Sequence, residues 1–266
     1  MIPETHPLPI SDPPNDDPVA ANPKGNSHNI HFPRVPNLKF KGQSECGVRG
    51  DTIVGFDWTV GQVLAKLDEL KLADNTLVIL TSDNGGVLDN NGPDKEHGIG
   101  SIEANNGHRF NGVLRGTKGT VWEGGTRLPM ITRWPGHIQP GVSDALVCQV
   151  DMLASFAAFT GQKLAPSDGP DSYNVLPALL GQKTDTPCRD YLVEQNNTGA
   201  QMALRHGLWK FIPGGAGKRG GQQAGQLYNL ANDLSETQNV AAQHPDIVKS
   251  MASKLAEIKN SGRSRP

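Results

Sequence analysis

The sequence has no long apolar run, few cysteines and little net charge. No window approaches the about 18 uninterrupted apolar residues of a membrane span, which excludes a transmembrane helix within these 266 residues. The three cysteines are widely spaced, which excludes a disulfide framework and a CxxC metal site. The formal net charge of −2 favours neither nucleic acid nor a membrane surface as a partner. The first residues lack a basic and apolar signal pattern, and the sequence leaves the cellular compartment open.

Common nucleophile and phosphate motifs are also missing. The sequence contains no GxSxG elbow and no HExxH pair. The glycine-rich segment at residues 114–127 has neither the spacing of a Walker loop nor that of a dinucleotide fingerprint. These absences exclude the usual α/β-hydrolase, HExxH metalloprotease and P-loop functions.

The patterns that are present predict an α/β fold. Nine prolines in the first 50 residues remove backbone donors, so we expect an irregular arm over residues 1–26. Apolar residues at three- and four-residue spacing predict a helix over residues 51–70, with Asp51 at its amino end. Residues 76–81 form an apolar, β-branched run, which is typical of a strand buried on both faces in a parallel sheet. A second strand is predicted at residues 128–134.

The last third of the chain has a different pattern. Short strand-like segments joined by turns predict an antiparallel sheet, built from residues 191–194, 201–205, 208–212 and 226–230. An amphipathic helix is predicted over residues 245–259. We therefore expect a small antiparallel subdomain with a terminal helix over residues 186–266.

Three groups of side chains are suited to chemistry. Asp83 and Asn84 follow the predicted strand, where open α/β sheets place ligands, and they offer hard oxygen donors to a divalent cation; a plain Asn-Gly turn also explains them. Lys118 lies in the glycine-rich segment, where it would reach an anion; a solvated lysine is the alternative. His28 and His31 offer a proton to an anion or a leaving group, and lone surface histidines are the simpler interpretation.

The motifs follow one another in a particular order. They are SHNIHFPRVP at residues 27–36, RGD at 49–51, TSDNG at 81–85, RGTKGTVWEGGTR at 115–127, WPGHI at 134–138, and QLYNL at 226–230 followed by Asp233, Glu236 and Asn239. This order resembles the type I sulfatases, the arylsulfatase-like members of the alkaline phosphatase superfamily. The resemblance runs from about residue 27 to the end of the chain, and it rests on the ordered set because each motif alone is weak.

The resemblance implies a sulfuric ester hydrolase with a bound divalent cation, Ca²⁺ or Mg²⁺. It gives Asp83 and Asn84 the role of cation ligands, and Lys118 the role of bridging sulfate and nucleophile. It gives His28 contact with the sulfate or the leaving oxygen, with His31 as the alternative; charge neutralisation and assisted departure of the alcohol make chemical sense of this set.

The same resemblance makes residues 27–185 part of the catalytic domain. It implies a sulfated small molecule or glycan as the partner, with specificity set in loops such as 85–112 and 195–225.

Two elements of the family pattern are not found in this sequence. The family nucleophile is a formylglycine made within a C/S-x-P/A-x-R motif, and none of Cys46, Cys148 and Cys188, nor any serine, has that context. The paired aspartates of the family's first strand, which supply two further cation ligands, are not found either. We therefore expect the chain to match the C-terminal portion of a sulfatase only, with an incomplete cation site, and to be inactive alone because Ca²⁺ takes 6–8 oxygen ligands.

Other interpretations stay open. A separate chain would supply the N-terminal half in trans, and the two would form an active enzyme. Alternatively, the chain is a noncatalytic module or pseudoenzyme fragment that binds sulfated glycans through Lys118 and His28. A phosphoesterase of the same superfamily is less favoured, because the Lys118 loop and the C-terminal signature are those of sulfatases.

Overall fold

The computed structural model describes residues 36–87, 105–216 and 222–265. The predicted arm over residues 1–26 and the candidates His28 and His31 lie outside the described residues. The chain forms two compact units, one of residues 1–62 and 89–108 and one of residues 63–88 and 109–266. The candidates Asp83, Asn84 and Lys118 all belong to the second unit.

Helix α1 (Gly47–Glu69) starts in the first unit, four residues earlier than predicted. Asp51 is therefore inside the helix and buried, not at its amino end. Its carboxylate accepts the backbone N–H groups of Gly42 at 2.8 Å and Ser44 at 2.9 Å. The periodicity predicted the helix correctly, but the Asp51 carboxylate satisfies donors of the preceding segment instead of the helix.

In the second unit, strand β1 (Val78–Thr81) pairs with strand β2 (Met130–Arg133). The short helix α2 (Glu123–Thr126) lies between them in the sequence. The two strands are antiparallel, with Val78 opposite Arg133, and every residue of β1 is half-buried. The prediction of parallel pairing and burial on both faces is wrong for this pair, because an apolar run indicates burial and not the direction of the neighbouring strand.

Two further short helices follow, α3 (Met152–Phe159) and α4 (Leu176–Leu179). Asp151, at the start of α3, is fully buried and accepts two hydrogen bonds of 2.8 Å from Arg189. This ion pair joins α3 to the segment that leads into the C-terminal sheet. Within the described ranges, no helix is both long and apolar enough to cross a bilayer.

The last part of the chain forms six strands: β3 (Tyr191–Gln195), β4 (Met202–His206), β5 (Trp209–Ile212), β6 (Gly215–Ala216), β7 (Gln222–Gln223) and β8 (Gln226–Asn229). Four of them form the C-terminal sheet in the order β3-β4-β5-β8, all antiparallel to their neighbours. Strands β6 and β7 pair with each other in the connection between β5 and β8. All four predicted strands are confirmed within two residues at each end, because alternation and turn residues agree along this part of the sequence.

The two faces of this sheet pack against different parts of the chain. On one face, Leu204, Phe211 and Leu227 pack against helix α5 (Pro245–Ser261), which ends at Gly262 in the left-handed conformation. On the other face, Ala203, Ile212 and Tyr228 pack against Val121 of the glycine-rich segment. The alternation of side chains along each strand thus holds the candidate loop against the sheet. Helices combined with this sheet confirm the predicted α/β class.

Candidate functional site

The Asp83–Asn84 turn follows directly on strand β1. Ser82 Oγ donates to the Asn84 carbonyl at 3.0 Å, and Asn84 Nδ2 donates to the Gly85 carbonyl at 2.9 Å. The Asn84 amide nitrogen is therefore used locally, and its carboxamide oxygen is the atom left for a ligand. The Asp83 side chain is exposed and has no ion pair among the described residues.

The next two residues of this turn bind the glycine-rich segment. Gly85 donates its N–H to the Gly125 carbonyl at 3.1 Å, and Gly86 accepts the backbone N–H of Lys118 at 3.2 Å. Asn111 completes the junction: it accepts from the Gly86 N–H at 2.8 Å and donates to the Gly116 carbonyl at 2.9 Å. The structure thus brings together the Asp83–Asn84 turn and the Lys118 loop, which lie more than thirty residues apart in the sequence.

Glycines make the backbones in this junction approach closely. A methyl group on Gly85 would overlap the Gly124 carbonyl oxygen, so only glycine fits there. Gly116 and Gly119 flank Lys118 and both have φ of +82°, a conformation that side chains disfavour. Lys118 itself is half-buried, and its ammonium has no ion pair within residues 36–87, 105–216 and 222–265. An unpaired cation held on a constrained turn is suited to binding an anion.

A group of buried charges lies behind the loop, and we call it the buried charge cluster: Glu123, Glu194, Lys210 and Glu236, with Arg127 and Arg205 at its edge. Lys210 Nζ lies 2.9 Å from carboxylate oxygens of both Glu123 and Glu194 and 3.4 Å from one of Glu236. Glu236 also accepts the Glu123 backbone N–H at 2.7 Å. Helix α2, the C-terminal sheet and the C-terminal signature therefore meet at one ammonium group.

The carboxyl groups of the cluster have different pKa directions. Burial raises the pKa of Glu194 and of Glu236, and the attraction of Lys210 only partly opposes it. Burial also acts to raise the pKa of Glu123, but Lys210, Arg127 and Arg205 outweigh it, so that pKa is lowered. Burial lowers the pKa of Lys210, but the three carboxylates reverse this and leave it raised. Lys210 and Glu123 are thus the charged pair at the centre.

Arg115 fastens the other end of the loop to the C-terminal signature. Its guanidinium donates to the Glu236 carbonyl at 2.7 Å and to the Tyr228 hydroxyl at 3.3 Å. It also lies 3.6 Å over the Trp122 ring, a cation–π contact. Arg115 and Glu236 belong to the motifs that carry the family resemblance, but the resemblance assigned them no role. Here they connect the loop that carries Lys118 to the sheet.

Lys210 and Glu194 are members of the cluster that the sequence did not predict. A lysine between Trp209 and Phe211 indicates a solvent-facing position in a half-buried strand. The signal that could have found Lys210 is its spacing along the strand. Lys210 and Ile212 are two residues apart in β5, so their side chains lie on the same, buried face of the sheet.

The described residues include oxygen donors of the right kind for a hard cation, but few of them. Asp83 offers a carboxylate, and Asn84 offers the carboxamide oxygen that its local hydrogen bond leaves available. In the part of the chain that the structure describes, no group of three or more His, Cys, Asp or Glu side chains could hold a metal ion. The donor chemistry fits Ca²⁺ or Mg²⁺, and these two residues supply a small part of a coordination shell.

Comparison with known proteins places these features in context. The Sulfatase family model matches residues 1–162. N-acetylgalactosamine-6-O-sulfatase of Bacteroides thetaiotaomicron is 40% identical over 242 residues, covering 88% of this chain and 46% of that protein. Steryl-sulfatase of Rattus norvegicus is 41% identical over 153 residues, covering 57% of this chain and 25% of that protein. The chain therefore spans about half the length, or less, of these curated relatives.

A solved structure shares the fold. It comes from work on the metabolism of multiple glycosaminoglycans by Bacteroides thetaiotaomicron, and it superposes with a TM-score of 0.77 at 41% identity. The match covers 87% of this chain and 48% of that one. The likeness therefore takes in most of this chain and about half of the other.

Proposed function

Because this chain belongs to the sulfatase family, we propose that it forms the part of a sulfuric ester hydrolase site that binds the sulfate group. One observation carries this proposal. The Lys118 ammonium has no ion pair with any described residue and stands on a glycine-constrained turn, and backbone hydrogen bonds join that turn to the segment after Asp83 and Asn84. An ammonium group, with two oxygen ligands for a divalent cation on the same junction, suits an ester with charged, non-bridging oxygens.

Each residue has a proposed role in this site. Lys118 binds a sulfate oxygen and neutralises the charge that develops on it. Asp83 and Asn84 are ligands of a divalent cation, Ca²⁺ or Mg²⁺, which supplies further positive charge when bound. His28, or His31 in its place, contacts the sulfate or the oxygen of the alcohol; both lie outside the described residues.

A sulfated sugar is the proposed substrate class. The relative named N-acetylgalactosamine-6-O-sulfatase matches 88% of this chain, whereas the steryl-sulfatases of rat and mouse match 57% and 70%. The former match therefore takes in more of the chain than the family model covers. This extent supports a sulfated amino sugar over a sulfated sterol.

Sulfate binding is tested by calorimetric titration of the chain with inorganic sulfate. We expect Lys118→Ala to weaken binding about 10-fold or more, as for loss of a hydrogen bond between charged groups. Lys183→Ala, at an exposed lysine, is the matched control and should retain wild-type affinity. If the two variants bound inorganic sulfate equally well, Lys118 would not be a sulfate-binding residue.

We also propose that these 266 residues bind a sulfate ester without turning it over by themselves. The sequence contains no C/S-x-P/A-x-R motif from which a formylglycine would be made. This favours binding alone, including a noncatalytic role, over hydrolysis by this chain. Incubation of the purified chain with 4-nitrophenyl sulfate and Ca²⁺ should release no nitrophenol above the blank, and metal-dependent release would contradict the proposal.

A further inference from the structure

The turn between strands β3 and β4 lies directly against the Lys118 loop. Asn197, in this turn, donates its backbone N–H to the Gly119 carbonyl at 3.2 Å. A methyl group on Gly119 would overlap the carboxamide of Asn197, so this side chain covers the glycine that follows Lys118. The Asn197 carboxamide fits against residue 119 because that residue is a glycine and has no side chain.

Two neighbouring asparagines in this turn have different surroundings. The Asn196 carboxamide oxygen accepts from the Gln201 N–H and the Thr198 hydroxyl, both at 3.1 Å, and this holds the turn in shape. The Asn197 carboxamide is exposed and makes no hydrogen bond within the described residues. Asn196 therefore has a structural role, whereas the Asn197 carboxamide, beside Gly119, has a donor and an acceptor that no described residue uses.

We propose that Asn197 is a specificity-determining residue that hydrogen-bonds the sugar ring bearing the sulfate. This inference rests on the proposed sulfate-binding role of Lys118. A carboxamide both donates and accepts, so a hydroxyl or an acetamido group can use both of its functions, whereas acceptor-only sulfate oxygens can use only its N–H donors. The backbone hydrogen bond from Asn197 to Gly119 keeps this turn beside the residue that follows Lys118, so a sugar whose sulfate is bound at Lys118 would adjoin the turn.

Two probes separate the sugar contact from the sulfate contact: inorganic sulfate and N-acetylgalactosamine 6-sulfate, each titrated into the full chain by calorimetry. We expect Asn197→Ala to weaken binding of the sulfated sugar about 3- to 10-fold, as for one hydrogen bond, and to leave the affinity for inorganic sulfate unchanged. Lys118→Ala should weaken both. Asn232→Ala, at an exposed asparagine in another turn of the same sheet region, is the matched control and should change neither.

The outcomes distinguish this inference from the function on which it rests. If Asn197→Ala binds both probes like the wild type, Asn197 is not a substrate contact, and Lys118 keeps its role. If Asn197→Ala weakens both probes equally, the residue acts by shaping the Lys118 loop, and the inference is wrong. If the wild type binds neither probe, both proposals fail.

A second variant guards against a disturbed turn. Asn197→Asp keeps the shape of the side chain but replaces a donor with a negative charge beside Lys118. It should fold like the wild type by circular dichroism and weaken binding of both probes through repulsion. Wild-type affinity of a folded Asn197→Asp variant for both probes would overturn the inference.

Discussion

Lys210 is fully buried, and its ammonium group lies within 3.4 Å of carboxylate oxygens of Glu123, Glu194 and Glu236. Removing it would leave Glu123 with a buried negative charge that Arg127 and Arg205 balance in part. Breaking a buried pair by removing one partner costs about 3–5 kcal/mol. We expect Lys210→Met to lower the free energy of unfolding by about that amount in urea denaturation.

The control for this variant is Lys249→Met, at an exposed lysine of helix α5. A surface substitution of this kind changes stability by about 0.5 kcal/mol or less. If Lys210→Met cost as little as Lys249→Met, the buried charge cluster would have no net role in stability.

Glu194 makes the same cluster sensitive to pH. Its pKa is raised by burial, against the opposing attraction of Lys210, and the negative charge of Glu123 raises it further, while Arg205 lowers it. A carboxyl group whose pKa is raised in the folded state stabilises the fold below its unfolded pKa. That contribution is lost as pH rises through the folded pKa.

Comparison with Glu194→Gln isolates this effect, because the substitution removes the titration at one site. We expect the stability of the wild type relative to Glu194→Gln to fall as pH rises from about 4.3, the ordinary glutamate pKa, through the raised pKa. Urea unfolding at a series of pH values measures the difference, with Glu45→Gln as the exposed-site control. A difference that grows with pH would mean that Glu194 is stabilised as a carboxylate.

At the scale of elements, the sequence predicted what depends on periodicity. Helices α1 and α5 and the strands of the C-terminal sheet follow from apolar spacing and turn residues. The antiparallel pairing of β1 with β2 did not follow, because strand direction is set by the chain between them and by neighbouring elements. Lys210 was missed for a related reason: only the three-dimensional meeting of three glutamates makes burial of its charge tolerable.

The turn after strand β1 gives a test of how closely two elements must approach. Gly85→Ala would place a methyl group on the Gly124 carbonyl, and the backbone at the Lys118 loop would have to move. Overpacking of this kind costs about 1–3 kcal/mol. We expect this loss in urea unfolding, together with weaker binding of inorganic sulfate, because the junction that holds Lys118 is displaced.

Gly61→Ala is the matched glycine substitution, made inside helix α1. Nothing lies within 4 Å of a methyl group at this position, and alanine in a helix is favoured over glycine by about 0.5–1 kcal/mol. The two substitutions should therefore change stability in opposite directions. A stabilising Gly85→Ala would show that the junction has room to adjust.

At the scale of the whole molecule, the order of the motifs predicts the family, but it does not predict which residues of one motif contact residues of another. The motif at residues 115–127 and the signature at residues 226–239 lie about a hundred residues apart in the sequence. The structure joins them through Arg115 bound to the Glu236 carbonyl and through Lys210, which lies beside both Glu123 and Glu236. No pattern in one segment specifies its partner in the other, since side-chain contacts depend on the packed fold.

These connections predict how far the effect of a bound sulfate travels. Ligand at about 100 times its Kd stabilises the folded state by about 2.7 kcal/mol, which slows exchange of globally protected amides about 100-fold. We expect N-acetylgalactosamine 6-sulfate to slow amide hydrogen exchange in residues 115–127 and also in strands β4 and β5 and residues 233–238. The reason is that Lys210, Arg115 and Glu236 tie these segments to the Lys118 loop. Lys118→Ala, with binding about 10-fold weaker, should reduce the slowing from about 100-fold to about 10-fold at the same ligand concentration. Protection confined to residues 115–127 would show that the loop opens independently of the sheet.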